Sequence, residues 1–284
     1  MQFYAIEGNT QRLDGGAMFG NCPKVLWEKW TDIDEHNRIP LACRALLVQT
    51  DEGHNVLFEA GVGAFFPPKL KDRFGVVEEE HMLLKNLAKI GIAQEDIDQV
   101  VLSHLHFDHC GGVLSAYSEG EPHLLFPNAK FYVGKKHLER AQNPHPRDRA
   151  SFYPQIIEAL VDSGRLELVE GPSHHELTFG VRFHYVSGHT PDLMTSLIET
   201  PAGLLVFVSD LIPAAPWVHL PITMGYDRYP ELVVDEKQAF LEEMYQRDAL
   251  LFFTHDPKIA LASIVQDEKG RYSARPMDMS ALQK

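Results

Sequence analysis

The sequence predicts a mixed α/β fold with two β-sheets and outer helices. Apolar strand-like runs come first along the chain, and further on they alternate with segments of helical spacing. Histidine and aspartate residues recur directly after several of the apolar runs, where buried strands would emerge from a core. No linker, internal repeat or low-complexity segment divides residues 1–284, so we expect a single domain.

Turn residues and breakers delimit the elements of the amino-terminal half. Apolar runs predict strands at 2–7, 41–50, 55–60 and 99–103, of which the second and third would form a hairpin. Helical spacing of apolar residues predicts a helix over 77–90, which Gly91 ends. Segment 10–40 carries many glycine and proline breakers beside apolar residues, and we interpret it as an irregular N-terminal flap.

Strands and helices alternate in the carboxy-terminal half. Apolar runs predict strands at 130–134, 165–169, 177–179, 181–187, 194–199, 204–209 and 249–253. Helical spacing predicts helices at 135–142, 154–162 and 235–247. The polar, proline-containing stretch 143–153 is expected to be a surface loop.

The composition disfavours several classes of partner. The chain has 40 acidic and 26 basic residues and a formal net charge of -14, whereas nucleic acids and anionic membrane surfaces require a basic footprint. Three cysteines are too few for a disulfide framework and fit a reducing compartment. The first ten residues have no basic stretch followed by an apolar one, so we expect no signal peptide, and no apolar run is long enough to span a bilayer. We therefore expect a soluble, cytoplasmic protein with a small-molecule substrate.

The most informative segment is 103–112, with the sequence Ser-His-Leu-His-Phe-Asp-His-Cys-Gly-Gly. His104 and His106 are two residues apart, so on extended backbone they point the same way. Asp108 and His109 follow in the turn and can face a second centre. Imidazole and carboxylate ligands suit zinc, iron, manganese or cobalt. The pair Gly111-Gly112 is expected to let the backbone turn sharply, and Cys110 to fill that turn rather than bind a metal.

Three further residues of ligand type each follow a predicted buried strand. His189 comes after strand 181–187 in Ser187-Gly188-His189-Thr190-Pro191, Asp210 ends strand 204–209, and His255 follows strand 249–253. Because strand ends can converge on one pocket while the core stays apolar, the repetition of this arrangement indicates a metal centre.

The four ligand blocks resemble the signature of the metallo-β-lactamase superfamily over residues 40–256. The resemblance implies a four-layer αββα metallo-β-lactamase sandwich with two divalent metal ions per chain, zinc being expected and manganese, iron and cobalt the alternatives. It also implies an assignment of the ligands: His104, His106 and His189 to one metal, Asp108, His109 and His255 to the other, and Asp210 as the bridge between them.

Within the superfamily, the sequence is most similar to the quorum-quenching N-acyl homoserine lactone lactonases. A bridging Asp210 stands where class B β-lactamases carry cysteine, and segments 13–20 and 224–230 look like those of the lactonases and their phosphotriesterase-like relatives. The resemblance implies that a lactone is opened by a hydroxide held between two metal ions, which lower the pKa of water towards about 7. Asp108 is the predicted catalytic residue, which orients the hydroxide or passes its proton to the leaving oxygen.

Two groups of residues are predicted to contact the substrate. Met18, Phe19, Leu26 and Trp27 of the flap would form an apolar wall for an acyl chain, with Phe65 and Phe66 near the same rim. Some lactonases carry a tyrosine three residues after the bridging aspartate, where this sequence has a proline, so His219 or Tyr226 is expected to donate the hydrogen bond instead. The alternative use of the flap is a homodimer contact.

The sequence departs from the family at two acidic residues and leaves other reactions open. Glu59 replaces the usual aspartate after the hairpin, and Asp192 replaces the usual glycine after the Gly-His-Thr-Pro motif. Either substitution could alter how a ligand is held. Thioester hydrolysis of the glyoxalase II type, phosphotriester hydrolysis and mononuclear iron sulfur dioxygenase chemistry are the alternative activities. A binding protein with a vestigial site is the non-enzymatic alternative.

Overall fold

The computed structural model describes residues 1–177 and 179–283, and these residues form two compact units that interleave along the chain. The first unit combines Met1–Gln11 with Ala42–His174, and the second combines Arg12–Leu41 with the residues from His175 onward. Each unit has its own hydrophobic core. The expectation of a single domain therefore stays a prediction. Among the described residues, no helix combines the length and the apolar character that crossing a membrane requires.

The elements are numbered here in chain order. The strands are β1 (Gln2–Glu7), β2 (Gln11–Asp14), β3 (Arg38–Leu41), β4 (Arg44–Gln49), β5 (Asn55–Phe58), β6 (Gln99–Val101), β7 (Lys130–Gly134), β8 (Leu166–Val169), β9 (Val181–Val186), β10 (Leu193–Thr200), β11 (Gly203–Phe207), β12 (Leu250–Phe252), β13 (Leu261–Gln266) and β14 (Tyr272–Met277). The helices are α1 (Gly15–Phe19), α2 (Lys24–Trp27), α3 (Pro68–Arg73), α4 (Met82–Lys89), α5 (Phe107–Cys110), α6 (Lys135–Gln142), α7 (Pro154–Asp162) and α8 (Pro230–Gln246).

The first unit contains a mixed sheet with the strand order β1-β4-β5-β6-β7-β8. β1, β4 and β5 pair antiparallel, whereas β5 to β8 run parallel. Parallel neighbours require crossover connections, which here carry helices α3 to α7. The central strands are almost wholly apolar because both of their faces are covered, as Val100 and Val101 of β6 illustrate. This arrangement places the carboxyl ends of the parallel strands at one edge of the sheet.

The second unit contains a sheet with the order β14-β13-β12-β11-β10-β9. Its strands pair antiparallel except β11 and β12, which run parallel and are joined by a crossover that contains α8. In β9, buried Val181 and Phe183 alternate with exposed Arg182 and His184, so one face of this strand is packed and the other is wet. Helix α8 covers the sheet at β13.

Several predicted elements need correction. Segment 10–40 is not irregular, because it contains α1, α2 and the two-stranded sheet of β2 and β3. Helix α4 begins only at Met82, since Val77 and Glu78 instead bond to Thr10, which lies between β1 and β2. The Val77 N–H donates to the Thr10 carbonyl oxygen, and the Thr10 N–H and hydroxyl donate to the Glu78 carboxylate. Helix α8 begins at Pro230, a residue that suits a first helical turn.

Some observed elements were not predicted, and one predicted strand includes a residue outside the described part of the chain. Strands β13 and β14 and helix α3 were not predicted from the sequence. In the predicted strand 177–179, Leu177 and Phe179 are not in a strand, and Thr178 lies outside the described residues.

Candidate metal-ligating residues

The first cluster of candidate ligands lies in the first unit, directly after β6. His104 and His106 follow the strand end, and the short helix α5 carries Asp108 and His109. The ring centroid of His104 lies 4.5 Å from that of His106 and 4.0 Å from that of His109. The three imidazoles are buried. The structure therefore brings together the histidines that the sequence motif predicts, within one unit.

Glu59 organises this cluster. Its carboxylate accepts a hydrogen bond from His109 Nδ1 at 2.8 Å and another from the Ser103 hydroxyl. Because a carboxylate only accepts, the proton of His109 must lie on Nδ1, which leaves the lone pair of Nε2 available to a metal. The departure from aspartate to glutamate thus preserves a carboxylate partner for the ligand.

Ser103 fixes the position of the imidazole proton in His104 as well. The Ser103 hydroxyl has a single proton, which it donates to Glu59, so its oxygen must accept from His104 Nδ1, 2.9 Å away. His104 therefore also carries its proton on Nδ1 and presents Nε2 as a ligand. Ser103 was not recognised from the sequence as a positioning residue, because a serine before a motif carries no specific signal.

The glycines after α5 serve close packing rather than a sharp turn. A Cβ on Gly112 would lie 2.0 Å from the Ala60 carbonyl oxygen, and one on Gly111 would lie 2.3 Å from that of Val62. Gly111 has φ −61°, which any residue adopts. The predicted reason for the glycine pair, a sharp turn, was therefore wrong. The glycines instead allow the backbone at Ala60 and Val62 to approach the motif closely.

Cys110 is a packing residue, as expected. Its thiol is buried, and its Sγ donates to the His106 carbonyl oxygen at 3.2 Å. Burial raises the pKa of this thiol well above its usual value, so the thiolate form that metals bind is disfavoured. A nearby buried histidine, His137, accepts from the Leu105 N–H at 2.8 Å and so supports the backbone between His104 and His106.

The second cluster lies in the second unit. β9 and β11 both pair antiparallel with β10, so they point the same way, and β12 runs parallel to β11. Their carboxyl ends therefore lie at one edge of this sheet. His189, Asp210 and His255 follow these three ends, as the sequence predicts.

The Asp210 carboxylate faces two imidazoles at once. Its Oδ2 lies 3.2 Å from His189 Nε2, and its Oδ1 lies 3.3 Å from His255 Nε2. A carboxylate that presents one oxygen to each of two candidate ligands is suited to bridge two metal ions. The backbone is strained beside it, because Ser209 has φ 45°, in the left-handed region that non-glycine residues rarely adopt.

Asp227 positions His189 and was missed from the sequence. Its Oδ1 accepts from His189 Nδ1 at 2.8 Å, and its Oδ2 accepts from the Met224 N–H at 2.7 Å. The proton of His189 therefore lies on Nδ1, and Nε2 is left as the ligand atom. Asp227 belongs to a segment that resembles the lactonases, but no local signal ties it to a histidine 38 positions away.

The predicted substrate residues fall into two groups. Met18 and Trp27 are 2% and 1% exposed and belong to the core of the second unit. Phe19 is equally buried and stacks on the rings of Trp27 and Trp217 at 5.1 and 4.3 Å. His219 and Tyr226 are exposed. The substrate contacts of all these residues remain predictions.

Phe19 also lines a cavity of about 530 Å³ in the second unit. Its wall contains the aromatic rings of Phe19, Trp30 and Trp217, and His255 also lines it. Lys258 and Asp32 supply charges, with their side chains 3.7 Å apart. The cavity is thus largely apolar and includes one candidate metal ligand.

These features agree with the result of sequence comparison. The sequence profile of the metallo-beta-lactamase superfamily matches residues 38–255, which is more than half of the chain. The chain therefore belongs to the metallo-beta-lactamase superfamily, and its enzyme class is that of the metal-dependent hydrolases. The predicted family and fold class are confirmed.

The chain is also similar to individual proteins of known sequence or structure. The chain is 26% identical over 203 residues to an N-acyl homoserine lactonase of Bacillus cereus, a match that covers 68% of this chain and 66% of that protein. It is 26% identical to a probable metal-dependent hydrolase of Staphylococcus aureus, with a TM-score of 0.85 and 98% of each chain covered. The dizinc quorum-quenching lactonase AidC has the same fold, with a TM-score of 0.76, 22% identity, and 97% of this chain and 94% of that chain covered.

Proposed function

We propose that the two clusters supply the seven ligands of one dinuclear metal centre. One ion would be held by His104, His106 and His189, the other by Asp108, His109 and His255, with Asp210 as the bridge. Family membership and the chemistry of the donors support this assignment. His104, His109 and His189 each have Nδ1 engaged, so Nε2 is available, and Asp210 presents one oxygen to each of two imidazoles. Zinc is the expected metal, since imidazole and carboxylate ligands suit it.

The centre would activate water for hydrolysis. When bound, two divalent cations lower the pKa of a shared water and polarise a substrate carbonyl. Asp108 would then accept the proton that the attacking water loses. Its carboxylate lies at the cluster, 3.8 Å from His109 Nε2, and at 15% exposed it is still accessible to solvent. It would orient the attacking water and pass a proton to the leaving oxygen. No serine or cysteine nucleophile is required for this chemistry.

We propose a lactone with an apolar acyl chain as the substrate, of the N-acyl homoserine lactone type. The observation that carries this proposal is the apolar cavity whose wall includes both aromatic rings and the candidate ligand His255. An alkyl chain in that cavity would lie beside the reacting ester. The name of the Bacillus cereus relative supports the same substrate class. The apolar wall that we propose consists of Phe19, Trp30 and Trp217, of which only Phe19 belongs to the predicted wall.

The test compares two exposed residues of one segment. Trp30 lines the cavity and is 44% exposed, whereas Leu26 is 46% exposed and does not line it. Each buried methylene contributes about 0.8 kcal/mol, so kcat/KM should rise about fourfold per methylene until the cavity is filled. Trp30→Ala should flatten this trend across N-butanoyl to N-dodecanoyl homoserine lactones, and Leu26→Ala should leave it unchanged.

The same assay separates the alternatives. Turnover of a thioester or phosphotriester with no detectable hydrolysis of any lactone would exclude the lactonase assignment and leave the dinuclear hydrolase. Lactone hydrolysis without a chain-length trend would retain the reaction and remove the cavity's role. A mononuclear iron dioxygenase would bind one metal and consume oxygen. A cytoplasmic location, supported by a count of only three cysteines, remains part of the proposal.

A further inference from the structure

We propose that Glu236 of α8 is a positioning residue for the candidate ligand His189, an inference that rests on the proposed metal centre. The Glu236 carboxylate accepts hydrogen bonds from two successive backbone N–H groups, Ser187 at 2.7 Å and Gly188 at 2.9 Å. These residues form the turn between the end of β9 and His189. A half-buried glutamate in the middle of a helix thus holds the backbone directly before a ligand.

The turn is held on its other side as well. The Tyr229 N–H donates to the Gly188 carbonyl at 2.8 Å, and the Arg228 N–H donates to the His189 carbonyl at 3.1 Å. A Cβ on Gly188 would lie 2.5 Å from the Val233 backbone nitrogen and 2.8 Å from Glu236 Oε2. Helix α8 and the turn therefore touch without an intervening side chain, which explains the glycine at this position.

A carboxylate suits this role better than an amide. Both backbone groups donate, so their partner must offer two acceptor atoms in the geometry of a fork. Glutamine would offer one oxygen and would place its NH₂ group against the remaining N–H. The loss of the negative charge would further weaken the retained hydrogen bond, since bonds to charged acceptors are the stronger ones.

Glu236 and Asp227 restrain different parts of the same ligand. Asp227 fixes the imidazole through Nδ1, whereas Glu236 fixes the backbone that carries the ring. With both in place, His189 Nε2 lies 3.2 Å from Asp210 Oδ2. Without Glu236 the ring keeps its partner, but the turn gains freedom, and the ligand atom must be ordered each time a metal binds.

The effect should be specific to Glu236 among its neighbours on α8. The next residue, Lys237, is buried and points to other groups, donating to the carbonyls of Trp217 at 3.0 Å and Ile222 at 2.6 Å. The preceding residue, Asp235, is exposed. Asp235→Asn therefore removes the same charge from the same helix and leaves the turn untouched, which makes it the matched control for Glu236→Gln.

Two measurements test the inference. In metal-free protein, hydrogen exchange of the peptide that contains Ser187 to His189 should be faster in Glu236→Gln than in the wild type and unchanged in Asp235→Asn. In the metal-loaded protein, chelator competition should show zinc bound about 10–100-fold more weakly in Glu236→Gln, the range typical for groups that orient ligands. The visible spectrum of the cobalt-substituted protein should change in the same variant.

The possible outcomes are distinct. Unchanged exchange at the turn, zinc affinity within twofold of the wild type, or an equal loss in Asp235→Asn would each overturn the role of Glu236. If Glu236→Gln does not fold, Glu236→Asp decides by the same titration, since its shorter carboxylate should still cost about tenfold in affinity. A wild-type protein that binds no metal would instead refute the proposed metal centre, while the exchange result would still report on the turn.

Discussion

Replacement of Asp227 by asparagine should disturb the orientation of the His189 imidazole, because it removes one of the two carboxylate oxygens that accept hydrogen bonds at this residue. Asp227 is 1% exposed, and both of its oxygens accept hydrogen bonds, from His189 Nδ1 at 2.8 Å and from the Met224 N–H at 2.7 Å. Asparagine keeps one acceptor oxygen and replaces the other with a donor. Whichever way the amide is oriented, one N–H group then faces another.

The magnitude follows from the two orientations. If the amide oxygen faces Met224, the imidazole can relieve the clash only by moving its proton to Nε2, the atom that should bind the metal. If the oxygen faces His189, the Met224 N–H is left buried against a donor. A lost hydrogen bond to a charged group costs about 1.5–3 kcal/mol. The corresponding loss of metal affinity is about 10–100-fold, or about 1.4–2.7 kcal/mol.

The assay is zinc titration against a chelator together with urea unfolding of metal-free protein. Asp227→Asn should lose affinity for one of two zinc equivalents and about 2 kcal/mol of unfolding free energy. Asp235→Asn, an exposed change of equal charge, should alter neither quantity. Retention of both zinc equivalents within twofold of the wild-type affinity would show that Asp227 does not set the tautomer of His189.

Three other outcomes can be checked with the same protein. Elemental analysis should approach two metal equivalents per chain, and one equivalent that persists after zinc or manganese loading would exclude the dinuclear centre. Asp210→Ala should lose far more activity than Asp192→Ala, because Asp210 faces both imidazoles; comparable losses in steady-state assays would mean that the bridge is misassigned. Burial lowers the pKa of Lys237 from 10.5 to about 7, so between these values the unfolded chain binds more protons than the folded one. The stability of the wild type relative to Lys237→Met should therefore rise with pH across that window in urea unfolding, and a flat difference would contradict it.

Local sequence patterns identified the elements that carry the candidate ligands. Helices α6 and α7 were predicted with their observed bounds, because helical spacing is uninterrupted there and Pro154 suits a first turn. The strand ends before His104, His189 and Asp210 were placed within a few residues, since apolar runs end where polar ligands begin. A strand's end and direction depend on residues adjacent in sequence, so they can be read locally.

The flap shows that local sequence patterns do not predict which apolar residues are buried. Apolar residues between breakers are compatible with an exposed wall, a dimer contact or a core, and the sequence did not distinguish these. The structure buries Met18 and Trp27 in a core and gives Trp30 a place on a cavity wall. Burial depends on which distant segments pack against a residue, which no local window contains. Strands β13 and β14, the last two of the second unit's sheet, were also not predicted.

The sequence by itself determined which residues are candidate ligands and to which family they belong, because the motif's spacing and the strand-end positions are local properties. Only the tertiary structure decided how those ligands are oriented. Glu59 meets His109 across 50 positions, Asp227 meets His189 across 38, and Glu236 meets the turn before His189 across 48 and 49. Asp227 and Glu236 are ordinary acidic residues in their local context, whereas the resemblance to the family marked Glu59 without showing which ligand it contacts. The three carboxylates acquire these contacts because folding brings their oxygens within hydrogen-bonding distance of an imidazole or a backbone N–H group.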